Sequence, residues 1–161
     1  MATKSSTATL RPTIYGKRVM ARQLYQKGRH FIGAALLLRD REGDEYVVLH
    51  LLCQGIEIIV KALLLLRNFA KYQPILQTKY GHKLMRLASD ALVEFKLNPL
   101  QAALSTELRE LDRMYAKHIL RYSLLATVFI DPKTIPSRLV LRRAAAVLRL
   151  ADRELARKGD G

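Results

Sequence analysis

HLLCQGIEIIVKALLLL, His50 to Leu66, is the stretch whose reading decides the fold. It is apolar enough to raise a membrane span, yet it carries His50, Gln54, Glu57 and Lys61. A spanning helix needs about 20 predominantly apolar residues with few or no charges. Here the longest unbroken apolar run is Ala62 to Leu66, and Glu57 and Lys61 sit mid-stretch. Each such charge costs about 2.5–3.5 kcal/mol on insertion scales. The stretch is therefore expected to be the central helix of a helical bundle, with no membrane partner. Its four polar residues stand at i, i+4, i+7 and i+11, offsets that return to within about 40° of one another at 3.6 residues per turn. They make one narrow stripe, with Glu57 preceding Lys61 in the favourable i, i+4 order. Such a stripe is either the helix's only solvent-facing edge or the wall of a cleft or subunit contact. His50 and Cys53 at i and i+3 lack the further ligands that a metal needs, so no metal is expected.

Outward from this helix, strand signals are weak and helical periodicity is general. A first helix is predicted over Ile14–Arg39, with Met20, Leu24, Phe31, Ala34, Ala35 and Leu38 facing inward. The polar connector Asp40–Asp44 makes it an antiparallel neighbour of the second, Asp44–Asn68. A looser segment with Pro74 and Gly81 leads to a third helix over His82–Lys96. Asn98 and Pro99 form a capping pair for a fourth, with Ser105 as an alternative restart, which continues past Tyr122 until Asp131-Pro132. Leu104, Leu108, Leu111, Tyr115, Ile119 and Tyr122 mark its apolar face. A fifth runs from Ser137 to about Lys158, with Ala145, Leu148, Ala151 and Leu155 as its apolar side. The fold class is all-α, an antiparallel four-to-five-helix bundle: a single domain over 14–158 behind a disordered basic tail over 1–13.

The chain has 161 residues and a net charge of +14, with 28 Lys and Arg against 14 acids. The excess lies at the ends. Residues 1–39 hold eight basic residues and no acid, and eight more basic residues follow from Lys133. Two arginine rows emerge on single helix faces: Arg18, Arg22 and Arg29, then Arg138, Arg142, Arg149 and Arg153. Such rows can meet successive phosphates, so RNA or another polyanion is the expected partner. Aromatic residues do not interleave with the rows, which argues against recognition by base stacking. The lone Cys53 cannot form an internal disulfide and fits a reducing, cytoplasmic setting.

The second helix with Gln54, Glu57 and Lys61, followed by YGHKLMRLASDAL with Gly81-His82, Leu84 and Leu87, resembles the HEPN family of small all-helical prokaryotic toxin and defence domains. The likeness covers about residues 14–125. It implies a homodimer and metal-independent endoribonuclease activity without a cofactor, through an Arg followed four to six residues later by a His. RMYAKH, Arg113 to His118, fits that spacing. There the RNA 2′-hydroxyl attacks the adjacent phosphorus, His118 serves as general acid or base, and Arg113 stabilises the phosphoryl charge. On an unbroken helix the two stand about 140° apart, so a twofold axis must unite them. Arg121 and Tyr122 lie within a turn of His118 and are supporting candidates, as are Glu57 and Lys61. The other readings are a non-catalytic RNA- or protein-binding module and the partner subunit of a minimal nucleotidyltransferase; an antitoxin is a further implied partner.

Overall fold

The computed structural model describes residues 12–122 and 128–157, and all regular structure among them is helical. The five long helices are α1 (Ile14–Asp40), α2 (Glu45–Arg67), α4 (Leu84–Glu94), α5 (Ala102–Ala116) and α7 (Arg138–Arg157). Two one-turn helices join them, α3 (Phe69–Tyr72) and α6 (Ile119–Tyr122). Between α3 and α4 the backbone tightens into a 3₁₀ turn over Gln73–Ile75 and then widens into a π turn over Leu76–Tyr80. Most of the basic tail, residues 1–11, lies outside the described residues, as do the stretch 123–127 and the end of the fifth predicted helix.

α2 is the hub. Buried residues run along almost its whole length, and α1, α4, α5, α6 and α7 all pack on it. By length and composition it is the one described helix that could cross a membrane, and most of it is buried under its neighbours. Thr13 caps α1 by accepting the Gly16 N–H, and Asp44 caps α2 by accepting the Val47 N–H. α1 runs antiparallel to α2, and two glycines set how closely they approach. A Cβ on Gly28 would lie 2.4 Å from Ile59 Cγ1 and 3.0 Å from the Gly55 carbonyl oxygen. One on Gly55 would lie 2.6 Å from Ile32 Cγ1 and 3.0 Å from the Gly28 oxygen. The two backbones therefore touch where no side chain fits.

Two helices are capped from elsewhere in the chain. Asp112 of α5 accepts the Leu84 N–H at 2.5 Å, at the start of α4. Buried Glu107, also of α5, accepts the Val140 N–H at 2.7 Å, in the first turn of α7. Both carboxylates meet the positive end of a helix, where unpaired N–H groups need acceptors. α5 thus holds α4 and α7 in place.

Several sequence expectations need correction. Of the inward face expected for α1, Ala35 is buried and Leu24 and Leu38 pack against the core, but the other buried positions are Ala21, Tyr25, Gly28 and Ile32, and Met20 and Ala34 face outward. Ala145 is likewise exposed, because α7 buries Val140, Ala144, Ala151 and Glu154. Asn98 and Pro99 do not start the fourth helix. The chain has no regular structure through residues 97–101, and Gln101 precedes the first turn. That helix is also broken. α5 ends at Ala116, His118 adopts a left-handed backbone at φ 56, and α6 starts afresh at Ile119. Tyr122, expected on the apolar face, is exposed in consequence.

Candidate functional site, a histidine cluster on a buried carboxylate

The polar stripe of α2 is not a solvent-facing edge. Glu57 is 3% exposed and Lys61 9%. The stripe faces inward onto the Tyr80–Leu84 connection and onto α5, and everything polar there converges on Glu57. Lys61 Nζ donates to Glu57 Oε1 at 2.5 Å and to the Gly81 carbonyl at 2.9 Å. The Tyr115 hydroxyl lies 2.6 Å from Glu57 Oε2 and 3.0 Å from Gln54 Oε1. His82 Nδ1 lies 2.9 Å from Glu57 Oε2. Burial raises the carboxyl's pKa, but the hydrogen bonds from Lys61, Tyr115 and His82 outweigh it and hold Glu57 below the usual carboxylate range. Burial also drives the Tyr115 hydroxyl upward, reinforced by its bond to Glu57, so Tyr115 is a fixed donor at neutral pH.

Three imidazoles gather over this carboxylate. His82 stacks edge-on against Tyr115 and against His118, with ring centroids 5.4 Å apart in both cases. His50 lies 5.6 Å from the Tyr115 ring. Glu57 occupies His82 Nδ1, so Nε2 is the nitrogen left for proton transfer, and the carboxylate fixes the ring's tautomer and direction. His118 is exposed at the break between α5 and α6. Its left-handed backbone costs roughly 1–2 kcal/mol for a residue with a Cβ, though histidine tolerates this region better than most. Arg121 follows on α6, exposed, with its guanidinium 4.8 Å from the Tyr122 ring.

His50 is held differently. Its Nδ1 is buried with no hydrogen-bond partner. Burial lowers its pKa, and the charges of Arg121, His82 and His118 lower it further against the opposing pull of Glu57. The folded state thus binds fewer protons at His50 than the unfolded chain does. Stability from this group is present above the unfolded imidazole pKa of about 6.5 and is lost as pH falls through the folded value. His50→Leu is accordingly expected to flatten the fall in urea midpoint between pH 7.5 and 5.5. An unchanged slope in that window shows that His50 does not carry it.

The predicted pair does not meet within the chain. Arg113 projects to the surface and is tied by two hydrogen bonds to Glu110, the shorter at 2.6 Å. His118 turns instead to His82 and Tyr122. The supporting candidates Glu57 and Lys61 are central to the cluster, Arg121 adjoins it, and Tyr122 borders it at 6.3 Å from His118. His82, Tyr115 and Gln54 were not among the candidates; the only signal for His82 was its place beside Gly81. Arg22 and Arg29 are exposed on α1, as are Arg138, Arg142, Arg149 and Arg153 on α7, while Arg18 is half-buried. No three His, Cys, Asp or Glu side chains among the described residues are arranged to hold a metal ion. Cys53 is fully buried, and burial pushes its thiol pKa well up, so it is an inert core residue. Compared with models of protein families, with curated proteins and with solved structures, the chain matches none.

Proposed function

We propose that this chain is a HEPN-like, RNA-engaging protein of the toxin or defence type. In this reading it cleaves RNA without a metal ion, at a site centred on His82 and His118. The observation that carries the proposal is the Glu57–His82–His118 arrangement. A buried carboxylate orients one imidazole, and a second, exposed imidazole stands against it with Arg121 one turn away. Those are the parts that transphosphorylation requires. His82 Nε2 takes the proton from the RNA 2′-hydroxyl as it attacks phosphorus. His118 protonates the departing 5′-oxygen. Arg121 meets the charge gathering on the phosphoryl oxygens. The two rings are in contact, so a phosphate enters only if one gives way, and His118, exposed at a helix break, is the one placed to move. The exposed arginines of α1 and α7 supply the attraction to RNA.

Cleavage of a labelled single-stranded RNA in EDTA tests the assignment. His82→Ala and His118→Ala are each expected to lower the rate by about 10²–10⁴-fold, and Arg121→Ala by a comparable factor. Arg113→Ala is expected to change it less than about threefold, since its guanidinium is held by Glu110. Loss of activity in Arg113→Ala with retention in His82→Ala would return the site to an Arg113–His118 pair completed across a homodimer. Salt-sensitive RNA binding without cleavage would favour the non-catalytic module, which the outward arginine row of α7 also serves. A nucleotidyltransferase that copurifies and acts only with this chain would favour the partner-subunit reading.

A further inference from the structure

α4 and α7 each pack on α2, and between them the α2 surface is left open as a slot of about 330 Å³. Its floor is Ile56, Val60 and Leu63. Its walls are made low by Ala88 and Ala91 on α4 and by Ala144 and Ala146 on α7. Leu104 and Leu108 of α5 also line it. The lining is apolar except for Asn98 and two arginines, Arg143 and Arg153. Both guanidiniums belong to exposed residues and have no ion-pair or hydrogen-bond partner among the described residues. Ten positions apart on α7, the two residues have Cα atoms about 15 Å apart along its axis.

We propose that this slot binds a free single-chain fatty carboxylate, its aliphatic chain along the α2 floor and its carboxylate on one of the two arginines. Size and charge select that occupant. The volume sits at the small end of ligand pockets, enough for one chain and not two. An extended chain of about twelve carbons, at roughly 1.3 Å per bond along its axis, spans the distance between the arginines. The unpaired guanidiniums favour an anionic head, and guanidinium–carboxylate geometry allows two parallel hydrogen bonds. The slot shares no residue with the histidine cluster, and since Arg153 also belongs to the α7 arginine row, the titration below is made without RNA, so that its outcome does not depend on the ribonuclease reading.

Calorimetric titration with sodium dodecanoate, kept below its micellar concentration, is the test. One saturable site per chain is expected, with no binding of dodecyltrimethylammonium, which has the same chain and the opposite head. The double variant Arg143→Gln/Arg153→Gln, altered only at exposed positions, is expected to bind about tenfold more weakly. Ala91→Leu keeps every charge and fills the slot, so it is expected to abolish binding, with circular dichroism confirming the fold of both variants. Equal binding of both head types overturns the proposal. So does uptake of many dodecanoate ions that Ala91→Leu leaves unchanged, since that is only the general attraction of a +14 chain for anions. Failure to bind dodecanoate, with binding of anionic phospholipid vesicles or of an acidic amphipathic peptide in its place, overturns it in favour of those partners.

Discussion

Gly55→Val should lower the free energy of unfolding by about 3 kcal/mol or more, read as a fall in urea midpoint by circular dichroism. The reason is local and steric. Even a single methyl at Gly55 would meet Ile32 Cγ1 at 2.6 Å, the Gly28 oxygen at 3.0 Å and the Ile32 nitrogen at 3.1 Å. Two of those three atoms are backbone and cannot swing aside, so α1 must lift off α2. Because α2 organises the rest of the core, a gap there spreads. Gly33 is the control. It lies within α1, but a Cβ there meets nothing within 4 Å. Gly33→Ala should therefore raise stability by about 0.5–1 kcal/mol through helix propensity alone. If Gly55→Val and Gly33→Ala shift the midpoint alike, the close approach of the two helices is not what the glycines are for.

The second large effect is expected at Glu57. Glu57→Ala removes the acceptor for three donors and leaves the Lys61 ammonium buried with only the Gly81 carbonyl. Breaking a buried pair from one side costs about 3–5 kcal/mol. Replacing both partners at once, as Glu57→Leu/Lys61→Met, leaves no orphaned charge and should recover most of that loss. In the proposed ribonuclease reading the double variant still cleaves RNA no better than Glu57→Ala, since His82 has lost its orienting carboxylate. Stability and activity then part company. A double variant as unstable as the single one would show that the pair is not acting as a pair. The pH dependence has a fixed sign. Glu57 titrates below its unfolded value, so its contribution is full above the usual carboxylate pKa and is lost as pH falls through the folded one.

Much of the fold could be read from periodicity, because long helices leave a long record. Four of the five long helices are close to where the apolar pattern puts them, the fourth being later in its start and broken at its end, and the stripe His50, Gln54, Glu57, Lys61 is real. What the pattern could not say is which way the stripe points. Four polar residues on an apolar helix look the same whether they meet water or a second polar layer, and only Tyr115 and His82, far off in sequence, decide it. The break at His118 carried no signal either, since neither glycine nor proline marks it and the left-handed turn is made by a histidine. The starts of α4 and α7 hid their caps for a related reason. Asp112 and Glu107 reach them from α5, whereas a sequence reading looks for a cap next to the helix it serves. Arg113 and His118 fit a spacing, but spacing assumes a continuous helix, and the chain turns between them.

The cluster on Glu57 draws His50 from α2, His82 from the approach to α4 and His118 from the end of α5, so no single segment holds it. Its members meet where α2, the approach to α4 and the end of α5 come together. A growing chain that has reached only the first imidazole, or the second, has no cluster at all. Because its members are spread from His50 to His118, a fragment that ends before His118 lacks the cluster even where α1, α2 and α4 are intact.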